Sequence, residues 1–79
     1  MRNKYTEAER IWYKKFGDKI KRMLHIRNMT QGQLAAELGI SEVVLSRYIT
    51  GARIPSSYLV YQIANILNCD VSCLFDVDN

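Results

Sequence analysis

The chain has one proline, four glycines and two cysteines among 79 residues, and each shortage removes a class of protein. So little proline and glycine, with no repeat and no low-complexity stretch, argues against disorder or a fibrous repeat over most of the length. Cys69 and Cys73 stand four apart with no further Cys or His pair beside them. That spacing fits neither a zinc site nor a disulfide framework, so both read as ordinary core or surface thiols. His25, the single histidine, has no nucleophile or acid at useful spacing and reads as a surface residue. There is no Gly-rich phosphate loop, carboxylate pair or catalytic triad pattern; the expectation is therefore no enzyme, no cofactor and no metal. No apolar run approaches the ~20 residues that span a bilayer, and the polar start Met1-Arg2-Asn3-Lys4 is not followed by an apolar signal segment. The expected compartment is the cytoplasm, with neither a membrane partner nor a small-molecule ligand indicated.

What is present is the material for one modest core. Hydrophobic residues make up 48% of the chain, ordinary for a single small globular domain. The formal net charge is only +3, but it is unevenly spread. Residues 1–27 carry nine Lys/Arg against three Asp/Glu, and residues 28–79 carry two against five. A basic first third suits an anionic partner, since clustered cations raise local affinity for phosphate. A solvated helix face would look the same, so charge supports a reading without making one.

Helical periods run through nearly the whole length. Thr6-Glu7-Ala8-Glu9 has the form of a capping box, and Trp12, Phe16, Ile20, Met23 and Arg27 then recur every three or four residues. A long first helix to about residue 27 is expected, with Gly17 marking a close packing neighbour because glycine otherwise weakens a helix. Thr30 caps a short second helix whose buried stripe is Leu34, Ala35 and Leu38, and Gly39 ends it in the left-handed conformation. Ile40 enters the core. Ser41 caps a third helix from Glu42 to about Thr50, and Gly51 closes it. Pro55 biases Ile54 away from helix. Ser56 or Ser57 caps a fourth helix buried through Leu59, Val60, Ile63, Ala64 and Leu67, and Asp70 caps a last turn from Val71 to Phe75. The fold class is all-α, with five helices and an extended first helix. Residues 1–15 read as an amino-terminal extension, 16–75 as the domain, and 76–79 as a frayed acidic tail.

The stretch from Gln31 to Gly51 carries the functional signal. Two helices joined by about three residues and crossing steeply cannot hold a bulky side chain where they touch. Ala35 sits at that contact and Gly39 at the abrupt turn, with Leu34, Leu38, Ile40, Leu45 and Tyr48 wedged between. This is the pattern of a helix-turn-helix, in which the second helix is free to enter the major groove of DNA. Leu45, Tyr48 and Ile49 point inward on that helix, leaving Glu42, Val43, Ser46, Arg47 and Thr50 outward.

These residues resemble the phage Cro and lambda-repressor family of helix-turn-helix proteins, also called the xenobiotic-response-element family. The likeness lies in Thr30-Gln31, Leu34-Ala35, Leu38-Gly39-Ile40-Ser41, Leu45-Ser46-Arg47-Tyr48, Gly51, Arg53 and Pro55. It continues through Ile63-Ala64 and Leu67 to Val71 and Leu74-Phe75, covering roughly residues 16–75. The resemblance implies that Glu42, Val43, Ser46 and Arg47 read bases and that Gln31 binds a phosphate and braces the recognition helix. Chemistry assigns the roles: Arg47 to guanine O6 and N7, Glu42 to cytosine N4, Val43 to a thymine methyl. Glu42 could equally serve only as a charge in the first turn of its helix. Gln33, Ser41, Thr50 and Arg53 are further candidates for the DNA backbone, as are Lys19, Lys21 and Arg22. One departure stands out. The family often pairs an arginine late in its first helix with a glutamate late in its third, where this chain has Leu24 and Ile49. Joint replacement of a buried ion pair by apolar residues predicts that Leu24 and Ile49 touch.

A transcriptional regulator acting on double-stranded DNA, as a repressor that occupies an operator, is the expected function. A homodimer is expected because a single module buries too little surface for high specificity. The resemblance places the dimer contact near Ile54, Tyr58, Leu74, Phe75 and Val77; Ile11, Trp12 and Tyr13 are a second candidate. An antitoxin or a restriction-system controller would share every one of these motifs. A protein-interaction module that ignores DNA is the other alternative, since Arg47 and Arg53 are the only cations after residue 27.

Overall fold

The computed structural model describes residues 6–75, apart from the side chain of Phe75. The expected fraying of 76–79, and Val77 as a dimer contact, lie outside those residues. Among them are five helices: α1 Glu7–Arg27, α2 Gln31–Leu38, α3 Glu42–Thr50, α4 Ser57–Ile66 and α5 Val71–Phe75.

Local chemistry accounts for the boundaries. Thr6 and Thr30 each head a capping box, in which the threonine hydroxyl accepts from the N3 amide while the N3 side chain accepts from the threonine amide. Ser41 and Ser56 cap α3 and α4 through Val44 N–H and Leu59 N–H, both at 3.1 Å. Of the two serines considered for α4, Ser56 is the cap and Ser57 the first helical residue. Asn28 ends α1 at φ 58° and Gly39 ends α2 at φ 74°, both left-handed. A Cβ on Gly39 would find open space, so the turn needs glycine for its backbone angles and not for room.

The core is one cluster drawn from all five helices, including Phe16, Ile20, Leu24, Leu34, Leu45, Ile49, Ile63, Leu67 and Leu74. α1 packs chiefly on α3, α2 bridges α3 and α4, and α5 closes against α1 and α4. Gly17 explains how α1 comes so near to α3: a Cβ there would overlap the Ile49 carbonyl. Leu24 and Ile49 are both buried members of the cluster. The close approach of Ile49 to α1 is at Gly17, about two turns before Leu24.

The expected core face of α1 needs correction at its ends. Phe16 and Ile20 are fully buried, but Trp12 is 37% exposed. Trp12 meets Tyr13 edge-on at 4.9 Å, and Tyr13 meets Phe16 edge-on at 6.4 Å. The rings thus form a chain from surface to core. Arg27 is exposed, and its Nη2 donates to the Asn68 carbonyl at 3.1 Å, tying the end of α1 to the loop before α5. Leu74, expected on a dimer surface, is fully buried. The turn of α5 directs it into the cluster, so it supplies core and no contact surface.

Candidate nucleic-acid interface

The α2–α3 corner is assembled by the small residues at its turn. Ala35 is buried at the crossing, Ile40 donates its N–H to the Ala35 carbonyl at 3.1 Å, and Gly39 carries the reversal. Leu45 and Ile49 bury the inner side of α3, while Val44 and Tyr48 lie half-buried beside them. The outer flank is left open. Val43 is 63% exposed on it, an apolar side chain set among the polar residues of that flank.

Four residues expected to read bases share one surface with a fifth expected to hold phosphate. Glu42, Val43, Ser46 and Arg47 line a shallow, open concavity of about 530 Å³ together with Gln31 from the first turn of α2. Positions 42, 43, 46 and 47 fall on one side of a helix by their spacing, but Gln31 joins them only through the tertiary crossing. Glu42 leans toward α2: a Cβ on Gly32 would lie 3.3 Å from its Oε1. Its carboxylate therefore sits close to the amino-terminal end of α2, where the helix dipole favours negative charge.

The candidates for backbone contact divide by what their polar atoms already do. Gln33 Oε1 accepts from Thr30 N–H at 2.8 Å, which orients the side chain and leaves its amide nitrogen as a donor. The Ser41 oxygen is the α3 cap, so only its hydroxyl hydrogen is left for an acceptor. Thr50 Oγ1 donates to the Arg47 carbonyl at 3.3 Å, and Arg53 N–H donates to the same carbonyl at 3.2 Å. The Arg53 guanidinium lies 5.9 Å from the centre of the Tyr48 ring, held over it as a cation over an aromatic face. Lys21 is within 4.0 Å of Asp18, an exposed pair of small energetic weight. Lys19 is half-buried and Arg22 exposed on other sides of α1.

A second concavity, about 320 Å³, was not legible in the sequence. It lies where Glu7, Arg10, Ile11 and Lys14 of α1 face Thr50 and Gly51 at the end of α3. The i, i+3, i+4, i+7 spacing of the α1 residues is visible in the chain, but what they face is not.

Burial pushes the Cys69 thiol above its ordinary pKa, and the neighbouring Cys73 adds to the effect. A thiol so placed is poorly nucleophilic. Among the described residues no cluster of His, Cys, Asp and Glu could hold a metal ion, and no helix is long and apolar enough to cross a membrane.

Two helices crossing at Ala35 and Gly39, with the second presenting an open polar flank, define the class: a helix-turn-helix domain of the DNA-binding kind. The chain matches the family model described as Helix-turn-helix over residues 20–72. It belongs to that family, the XRE-like helix-turn-helix proteins of Cro and lambda-repressor type, whose members are DNA-binding transcription regulators. No curated protein shows significant similarity to the chain.

Proposed function

We propose that the protein is a sequence-specific transcriptional regulator that occupies an operator in double-stranded DNA, as a homodimer, and represses by blocking access to it. The observation that carries this reading is the meeting of Gln31 with Glu42, Val43, Ser46 and Arg47 on one uncovered surface. α3 enters the major groove with Glu42 and Val43 near the base edges, and Arg47 donates two hydrogen bonds to a guanine. Gln31, Gln33, Ser41 and Arg53 hold the phosphates on either side and set the register, and Thr50 joins them once its hydroxyl turns from the Arg47 carbonyl to a phosphate oxygen. An antitoxin or a restriction-system controller would use this surface in the same way.

Residues 1–15 extend a domain that spans 16–75. The dimer contact falls on the apolar surface near Ile54 and Tyr58; Tyr58 is 69% exposed. The exposed side chains of Ile11 and Trp12 are the second candidate.

One observation favours the alternative of an interaction module: Arg47 and Arg53 are the only cations after residue 27. Selection of bound sites from a random duplex library, followed by titration of the selected site, separates the readings. The proposal expects an enriched, two-fold-related site bound ~10³-fold or more tighter than scrambled duplex, with affinity falling steeply as salt rises. Failure to enrich any sequence, with no duplex bound at low salt, would leave the interaction module.

A further inference from the structure

The face of α1 beside the end of the recognition helix belongs to none of the motifs that define the domain. Arg10 and Lys14 precede the family match at residue 20 and sit on an exposed flank. The backbone there is in close contact with the end of α3: a Cβ on Gly51 would lie 3.3 Å from the Lys14 amide nitrogen and 3.4 Å from the Arg10 carbonyl. The position of this flank relative to α3 is therefore set by main-chain packing and not by flexible side chains.

Thr50 links the two surfaces. It lies on the outward stripe of α3, in helical sequence with Val43, Ser46 and Arg47, and it also lines the concavity faced by Arg10 and Lys14. A duplex seated against that stripe would have the flank of α1 beside it where α3 ends. At about 100° per residue, Arg10, Lys14 and Lys21 project within roughly 40° of one another, whereas Lys15 is turned about 100° from Lys14. Two acids share the region: Glu7 lines the concavity, and Asp18 lies 3.7 Å from Lys14. The Lys14–Asp18 pair has both side chains more than half exposed, so it holds the lysine loosely and a phosphate can compete for it.

We propose that Arg10 and Lys14 form a phosphodiester-binding surface that carries the DNA footprint past the carboxyl end of α3, onto the part of α1 outside the matched domain. The proposal rests on the DNA-binding reading above. It also supplies cations that the helix-turn-helix itself largely lacks. These contacts hold backbone only, so they add salt-dependent affinity and no sequence preference.

The test compares wild type, Arg10→Ala/Lys14→Ala and Lys15→Ala on the selected duplex and on a scrambled duplex, across about 50 to 200 mM salt. Losing two phosphate contacts should lower the slope of log K against log salt by about 2, so that the double variant loses roughly tenfold less affinity over that range than wild type. The ratio of selected to scrambled affinity should stay unchanged, and Lys15→Ala should keep the wild-type slope. An unchanged slope in the double variant overturns the proposal, as does a slope reduced by about 1 in Lys15→Ala, the same change per charge removed, which would point to net charge alone. A lost sequence preference also overturns it, by making the contact a base contact. Wild type that binds no duplex removes the DNA reading itself, a result distinct from these. Arg10→Gln/Lys14→Gln serves as the second variant should the alanine pair lower the thermal midpoint.

Discussion

Gly17 shows how much one hydrogen atom decides in this chain. Alanine would raise the helix propensity of α1 by about 1 kcal/mol. The added methyl, however, would overlap the Ile49 carbonyl, which is backbone and cannot rotate away. Overpacking of that kind costs up to about 3 kcal/mol or more, so the steric effect wins. Gly17→Ala should lose about 2 kcal/mol net and lower Tm by roughly 10 °C; an unchanged or raised Tm would mean that α1 and α3 do not approach there. The same scale separates the two thiols. Cys73 is exposed, while Cys69 is half-buried with its pKa raised by that burial. Alkylation of the native protein at neutral pH should modify Cys73 first, with intact-mass and peptide mapping as the readout. Because the raised Cys69 pKa favours the neutral thiol in the folded state, any stability it contributes is present below the ordinary thiol pKa. It is lost as pH rises through the folded value.

The helices were largely readable because their ends carry chemistry that acts locally. Thr6 with Glu9, Thr30, and the glycines at 39 and 51 each specify a boundary within four residues, and the boundaries fall there, with Gln33 completing a second capping box. What periodicity could not settle is which part of a stripe finds a neighbour. Trp12 shares the period of Phe16 yet is partly exposed, because the cluster ends one turn short of it. Leu74 shares a short amphipathic turn with Val71, and only the docking of α5 against α1 and α4 shows that Leu74 is the residue taken inside. The pairing of Leu24 with Ile49 belongs to this scale too. Both are buried in one cluster, and a Leu24→Ala/Ile49→Ala double-mutant cycle should give a coupling above ~0.5 kcal/mol. Additive losses in thermal or denaturant unfolding would mean that the two side chains do not touch.

Over the whole molecule, the candidate site was half legible. The outward face of Glu42, Val43, Ser46 and Arg47 follows from the helical period of α3, and their choice as base readers with Gln31 as their brace from the family resemblance, whereas the meeting of Arg10 and Lys14 with Thr50 depends on how α1 and α3 cross. Charge is arranged in keeping with this, since the basic first third contains α1, which packs chiefly on the recognition helix. Two kinds of contact should then separate by experiment. Arg47→Ala should cost about 1–3 kcal/mol on the selected site and relax preference at one base pair, measured by titrating single-base variants of that site. Equal losses on every variant would make Arg47 a phosphate contact instead.

The most direct test of the central claim, that the open flank of α3 is where the protein meets DNA, is an amide chemical-shift titration of the full chain with the selected duplex. Shift changes should centre on Gln31 to Gln33 and on Glu42 to Arg53, with a weaker set at Arg10 and Lys14 and little change along α4. Changes centred on α4, with α3 silent, would contradict the account.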